Sequence, residues 1–203
     1  MTDEVRVLGF AGSLRRQSYN RAALRAAVKL VPSGITLSTF DLDGIPPFNQ
    51  DHEHEPPHAV QEFKASILRA DAILIVTPEY NYSVSGVLKN AIDWGSRPYG
   101  ESAWDGKPVG VMGASVGTLG TSRAQYHLRQ MFVFLNMFPL NQPEVMIANA
   151  DDKFDEKGNL KDEKTAQKIR ELIGALADWT RTLKKAKAKA MKRHDGRIVK
   201  RHR

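Results

Sequence analysis

Residues 5–24, VRVLGFAGSLRRQSYNRAAL, decide the fold. Residues 5–11 form a short apolar run rich in Val, Leu and Phe, the length of one buried strand. A polar loop follows over residues 12–19, and Asn20 then stands where a helix cap is expected. Leu24, Ala27, Val28 and Val31 recur at helical spacing behind it. The stretch therefore reads as strand, loop, helix. Gly12, Ser13, Arg15, Ser18 and Asn20 give the loop backbone N–H groups, hydroxyls and a guanidinium, a set that suits a phosphate at a helix N-terminus. The loop matches neither the dinucleotide fingerprint nor the P-loop. Alone, it is balanced between a phosphate site and an ordinary turn with Ser and Arg in water.

Working outward, the pattern repeats. Residues 35–42 read as a second strand, after the break at Pro32, Ser33 and Gly34. A Pro-rich loop over 43–57 leads to a helix marked by Val60, Phe63 and Ile67. Residues 72–76 form a continuous apolar run, as expected of a central strand buried on both faces. Val84, Val87, Leu88, Ala91 and Ile92 mark a third helix. Residues 109–112 give a fourth strand, followed by a helix with Ala124, Leu128, Met131, Phe132 and Leu135. A fifth strand is predicted over 144–148, a turn at Lys157, Gly158 and Asn159, and a long last helix through Ile169, Leu172, Ile173, Leu176 and Leu183. Strands alternating with helices predict an α/β three-layer sandwich around a five-stranded parallel sheet. In the strand order 2-1-3-4-5, ligands bind beyond the C-terminal ends of the strands at the switch point. The loops trailing strands 1, 3 and 4 would then be neighbours.

Those loops are the three with unusual chemistry. Residues 77–83, TPEYNYS, combine two aromatic rings with amide groups, which suits a flat heteroaromatic ring that needs a surface and edge hydrogen bonds. Residues 113–120, GASVGTLG, carry three Gly and no charge, so backbone N–H groups can approach a ligand closely. Taken singly, each loop reads better as a tight turn at a strand end, with Tyr80 and Tyr82 as packing residues, because Gly and Pro mark turns everywhere.

Charge is unevenly spread. Residues 184–203, KKAKAKAMKRHDGRIVKRHR, hold ten of the 30 Lys and Arg and one of the 23 acids, which leaves residues 1–183 at −2. The expected organisation is one domain over 1–183 and a basic extension over 184–203. The extension reads as a solvated continuation of the last helix, fraying into disorder, with no specific nucleic-acid partner. A nucleic-acid enzyme would carry its positive charge on the folded body. The absence of Cys excludes disulfides and thiolate metal sites. The acidic start MTDEVRV is no signal peptide, and no apolar run reaches membrane-spanning length, so a cytosolic protein is expected. His52, His54 and His58 with Glu53 and Glu55 read as exposed loop residues rather than a metal site.

Together these residues resemble a known family, the NADPH-dependent FMN reductases of flavodoxin-like fold, which include quinone, azo-dye and chromate reductases. The match rests on Gly12, Ser13, Leu14 and Arg15 with Ser18 and Asn20, and on Pro78, Glu79, Tyr80 and Asn81. The run from Gly86 to Trp94, Ser115 with Gly117 and Gly120, and Arg123 to Arg129 continue it. It covers roughly residues 4–183.

The resemblance implies a dimer or tetramer that holds FMN non-covalently and oxidises NAD(P)H. Ser13, Leu14, Arg15, Ser18, Tyr19 and Asn20 would surround the FMN phosphate. Pro78, Glu79, Tyr80 and Asn81 would run along the isoalloxazine edge, and Ser115, Val116, Gly117, Thr118 and Gly120 would sit near its pyrimidine end. It implies no catalytic side chain and no metal, since the flavin carries the hydride. Both substrates would use one flavin face, which implies ping-pong kinetics. The acceptor would be a small molecule: quinone, azo dye, chromate or free flavin. Two departures stand out. Ser85 replaces a usual Pro, which is expected to loosen the start of the third helix, and Thr121 replaces a common second Gly. His127 is a candidate proton donor to a quinone. The rival reading is a non-enzymatic electron carrier like flavodoxin, but the near-neutral body lacks the acidic docking surface such carriers use.

Overall fold

The computed structural model describes residues 4–201, with side chains through Met191. Strand β1 (Val5–Ala11) leads to helix α1 (Tyr19–Lys29), then β2 (Ile35–Thr39), α2 (His58–Arg69), β3 (Ala72–Val76) and α3 (Gly86–Gly95). The chain continues through β4 (Pro108–Ala114), α4 (Ser122–Phe134), β5 (Phe138–Pro139), β6 (Val145–Ile147), the short α5 (Ala150–Lys153) and α6 (Glu163–Arg201). The sheet runs β2-β1-β3-β4-β5, all parallel, with β6 also paired to β4.

The order 2-1-3-4-5 is therefore present, with one difference at the edge. The expected fifth strand is two short pieces in one lane. Phe138 and Pro139 pair with Pro108 and Val109, and 145–147 pair with 112–114. Between them Pro143 cannot donate to a ladder, which interrupts the strand. Other boundaries also moved. The second strand ends at Thr39, and β4 extends through Ala114, absorbing the first residues of its predicted loop.

Alternation along the strands assigns the two layers. Ile73 and Ile75 of β3 face one side with Phe10, Phe63, Ile67, Leu88, Ile92, Leu128 and Phe132, where α2, α3 and α4 pack. Leu74 and Val76 face the other side with Ala23, Leu24, Met112, Ile169, Leu172, Ile173 and Leu176, beneath α1 and α6. The irregular stretch 96–107 supplies an unexpected core residue. Trp104 is fully buried, stacks edge-on against Phe63 at 5.8 Å, and donates its indole N–H to the Ile92 carbonyl at 3.0 Å. Trp94 is buried too and donates to the Pro46 carbonyl at 2.8 Å, so it serves packing. The turn at Gly158 forms as expected, with Gly158 at φ +75° and Phe154 bridged to Leu160.

Helix α6 is 39 residues long. It carries most of the predicted basic extension as helix; residues 202 and 203 lie outside the described residues.

Candidate functional site

Three loops leave the C-terminal edge of the sheet side by side because hydrogen bonding continues past the strands. The Gly12 N–H donates to the Val76 carbonyl at 2.9 Å, Thr77 to Met112 at 2.9 Å, and Ser115 to Ile147 at 3.0 Å. The loops over 12–18, 77–83 and 114–121 thus start from adjacent lanes at one height.

In the first loop, Ser18 rather than Asn20 caps α1. Its hydroxyl accepts from the Asn20 N–H at 3.2 Å. Asn20 looks elsewhere: its side-chain NH2 donates to the Ala114 carbonyl at 2.9 Å, and its side-chain oxygen accepts from the Ala114 N–H at 2.8 Å. The predicted cap is corrected for a physical reason. The start of α1 lies against the end of β4, whose last backbone groups need partners, and the buried amide satisfies both. Ser13 and Ser18 are nearly buried, while Leu14 is 43% exposed. Arg15 folds over the loop and donates to the Gln17 carbonyl at 2.6 Å. Tyr19 packs against Phe154 at 5.6 Å. Among the described residues, the backbone N–H groups of residues 13–17 have no protein acceptor. Orphan donors ahead of a helix N-terminus, with Ser hydroxyls and a guanidinium nearby, fit a phosphate.

Ser85 overturns one expectation. It does not loosen α3. Its hydroxyl accepts from the Leu88 N–H at 3.1 Å as the helix cap and donates to the Gly12 carbonyl at 2.6 Å. A hydroxyl there replaces the rigidity of a ring with two directed bonds, one of which holds the first loop against α3.

The second loop is a tight hairpin. Tyr80 and Ser83 exchange backbone bonds at 3.0 and 2.9 Å, and both central residues are left-handed, Asn81 at φ +50° and Tyr82 at φ +66°. Two positive φ values match the hairpin turn that follows strand twist, and a bulky Tyr at such a φ marks a constrained site. Tyr80 and Tyr82 are exposed, so neither packs in the core.

Glu79 shows how this loop is fixed. Its carboxylate is almost buried and accepts from the backbone N–H groups of Arg123 and Ala124 at 3.1 and 3.2 Å. It also pairs with the Arg123 guanidinium. Thr121 makes no side-chain cap at the start of α4, so Glu79 caps that helix from a different loop. The guanidinium in turn lies 3.6 Å from the centre of the Tyr82 ring. The Glu79 side chain thus points toward α4, leaving its backbone facing the cleft.

At the end of β4, just before the third loop, Gly113 sits where a Cβ would collide with the Thr77 carbonyl and the Thr121 hydroxyl. The Ser115 hydroxyl accepts from the Gly117 N–H at 3.1 Å. A cavity of about 460 Å³ opens between the second and third loops, lined by Glu79, Asn81, Tyr82, Ser115, Gly117, Thr118, Leu119, Gly120 and Arg123. Six of those were expected on sequence or lie within the expected loops as named residues; Tyr82, Leu119 and Arg123 were not singled out as contacts. Tyr82 was legible from its place between Asn81 and Ser83. His127 Nδ1 lies 3.0 Å from the Ser83 hydroxyl, at the far side of the same hairpin. The three loop histidines stay apart from this cluster, and among the described residues no group of three or more His, Asp or Glu is set to hold a metal.

A parallel sheet of this order, with orphan N–H donors and an aromatic-rimmed cleft at its switch point, defines a flavodoxin-like nucleotide-binding protein. The model of the NADPH-dependent FMN reductase family matches residues 5–152. The chain is 52% identical over 185 residues to an NAD(P)H-dependent FMN reductase of Pseudomonas aeruginosa, covering 91% of this chain and all of that one. It is 43% identical to a 2-hydroxy-1,4-benzoquinone reductase of a Burkholderia species, covering 84% of this chain and 93% of that one. Among solved structures it resembles FerB, a flavoenzyme NAD(P)H:(acceptor) oxidoreductase of Paracoccus denitrificans. The TM-score is 0.80 at 34% identity, over 88% of this chain and 98% of that one. The chain belongs to the NADPH-dependent FMN reductase family. It is an oxidoreductase whose cofactors are FMN and NAD(P)H.

Proposed function

We propose that this enzyme is a quinone reductase that works through FMN held by the three loops. The observation that carries the reading is their convergence: orphan N–H donors over residues 13–17 at one end of the cleft, and the cavity between 77–83 and 113–120 at the other. Donors suited to a phosphate in one loop, with a Tyr-lined cavity between the two loops in the adjacent lanes, suit a flavin mononucleotide. FMN bound there supplies the redox chemistry, accepting a hydride from NAD(P)H and delivering two electrons to the acceptor.

The chain's own residues bind and orient. Ser13, Leu14, Arg15, Ser18 and Tyr19 form the phosphate end, with Asn20 holding that end to β4. Backbone groups of Pro78, Glu79, Tyr80 and Asn81 form the isoalloxazine edge. Ser115, Val116, Gly117, Thr118 and Gly120 offer backbone donors where negative charge gathers on the ring. These residues would hold the ring against the loops, and nicotinamide and acceptor would then share one access to it in turn. Ping-pong kinetics follow, and with them tolerance of several acceptors, including azo dyes, chromate and free flavin.

A second copy of the chain fits beside the cleft. Tyr99, Val133 and Phe134 are each more than three-quarters exposed, next to a hollow of about 420 Å³ between α3 and α4. Exposed apolar side chains grouped in this way suit a homodimer or homotetramer. Among the described residues no helix is long and apolar enough to cross a membrane; with no Cys in the chain, we place the enzyme in the cytoplasm.

The test is direct. Purified protein should show a flavin absorbance spectrum that NADPH bleaches and a benzoquinone restores, with parallel double-reciprocal lines. A colourless protein that takes up no FMN on titration removes the reading; intersecting lines remove the ping-pong part alone.

A further inference from the structure

The end of the sheet opposite the three loops carries a concentration of positive charge. β1, β3 and β4 begin there. Arg6 and Lys184 both pair with Asp71, at 3.1 and 2.9 Å. Lys107 donates its ammonium to the Leu68 and Ala70 carbonyls at 3.1 and 2.6 Å, closing the C-terminus of α2. Burial, then the fields of Arg6, Lys184 and Lys187, hold the Lys107 ammonium below its ordinary value, against the pull of Asp71. Arg6 and Lys184 thus share one partly buried carboxylate, with Lys107 and Lys187 close by.

From that root α6 runs on as a lysine-rich rod. Residues 184–191 read KKAKAKAM, every one exposed, with four Lys and no acid. At 100° per residue, Lys184, Lys185, Lys187 and Lys189 fall at about 0°, 100°, 300° and 140° around the axis. The lysines therefore lie in two rows, Lys184 with Lys187 and Lys185 with Lys189, with Ala186 and Ala190 in the open sector of about 160° between them. The Pseudomonas reductase is matched along its whole length by 91% of this chain.

We infer that this basic rod, with Arg6 and Lys107 at its base, is a docking surface for the phosphate backbone of duplex nucleic acid, without sequence preference. Shape and charge select this occupant. A helix lying on a membrane needs an apolar face opposite its charged one. Residues 184–191 offer only Ala and Met191 and no aromatic residue. Charge in two rows of short reach suits a helix in a groove, where phosphates flank it on two sides. The flavin loops lie at the other end of the sheet, so docking leaves the redox site open.

The experiment uses the full chain and a fluorescein-labelled duplex of about 20 base pairs, followed by anisotropy from about 50 to 200 mM salt. Binding is expected, with log K falling linearly against log salt. The Lys185→Gln/Lys187→Gln/Lys189→Gln variant should bind more weakly and lower that slope by about 2.7, near 0.9 per lost phosphate contact. Its NADPH-dependent reductase activity and far-UV circular dichroism should stay at the parent level. No binding at the lowest salt, or an unchanged slope in the variant, overturns the inference. Tighter binding to phosphatidylglycerol-containing vesicles than to the duplex at equal phosphate also overturns it, in favour of a lipid surface. None of these outcomes depends on whether FMN binds the three loops.

Discussion

Asn20 and Ala114, 94 residues apart, exchange two hydrogen bonds at 2.9 and 2.8 Å, so the first helix and strand β4 are joined by one buried amide. Both Ala114 backbone groups depend on that side chain. Asn20→Ala should cost about 2–3 kcal/mol, because each buried group left unpaired carries its own desolvation penalty. Asn20→Asp should be as costly, since its carboxylate oxygen would face the Ala114 carbonyl. Urea denaturation of both variants checks this. FMN affinity, read by flavin fluorescence quenching, should fall about tenfold through displacement of the first loop. Wild-type stability in Asn20→Ala would show the bridge to be unimportant.

Glu79 tests whether the hairpin is set by α4. Glu79→Gln keeps the shape but loses the charge that meets both the helix N-terminus and Arg123. A loss of about 1–2 kcal/mol is expected, within the range for a removed cap and a partly buried ion pair. Because Arg123 also lies on the Tyr82 ring, turnover with quinone should drop several-fold while the chain remains folded. Steady-state kinetics beside a thermal melt separate the two effects. A variant with lower stability and unchanged kcat/KM would confine Glu79 to the scaffold.

Much of this arrangement was legible in the sequence. Continuous apolar runs such as 72–76 give a buried strand by themselves, and the strand–helix alternation then fixes a parallel sheet and its switch point. What stayed hidden were relationships that periodicity does not encode. Asn20 has the composition of a helix cap, and Ser18 two residues earlier has it too; only the approach of β4 decides between them. Trp104 sits in a stretch with turn residues on both sides, yet it fills the space between Phe10 and Phe63. Glu79 caps a helix 44 residues away, which no local pattern announces. The fifth strand looked continuous because residues 144–148 carry the apolar signal, whereas Phe138 and Pro139 are too few to register.

Ser85 carries a prediction of its own. Its hydroxyl holds both the Leu88 N–H and the Gly12 carbonyl. Ser85→Ala should destabilise the protein by about 1–2 kcal/mol, a lost cap plus an unpaired carbonyl. Ser85→Thr keeps the hydroxyl and should recover most of the loss. Affinity for FMN should follow the same order, because Gly12 opens the loop proposed to hold its phosphate. Equal FMN affinity in the Ala and Thr variants would separate the cap from the cofactor site.

Gly113 is required for closeness rather than for an unusual backbone angle. A methyl group there would meet the Thr77 carbonyl, which is backbone and has little room to retreat, as well as Thr121. Gly113→Ala should therefore push β4 from the start of the second loop, costing about 2 kcal/mol or more. The cavity between the loops should deform with it. Lost flavin from the purified variant, at a melting temperature several degrees lower, is the expected result; full flavin occupancy would mean the loops tolerate the shift.

The last prediction concerns pH. Burial alone would raise the Asp71 carboxyl, but hydrogen bonds from Arg6 and Lys184 outweigh it and hold the group at about 2. An unfolded Asp titrates near 3.9, so the folded value is the lower one. Stability from this group is then fully present above about pH 4 and is lost as pH falls toward about 2. The Asp71 side chain is 11% exposed but Arg6 is 62% exposed, so solvent screens part of the interaction. Asp71→Asn should accordingly cost about 1–2 kcal/mol at pH 7, measured by urea denaturation. Repeated at pH 3, the gap between parent and variant should shrink, because the unfolded parent then binds a proton on Asp71 that the folded state still resists. A gap that stays constant between pH 7 and pH 3 would show that Asp71 contributes through packing and neutral hydrogen bonds instead of its charge.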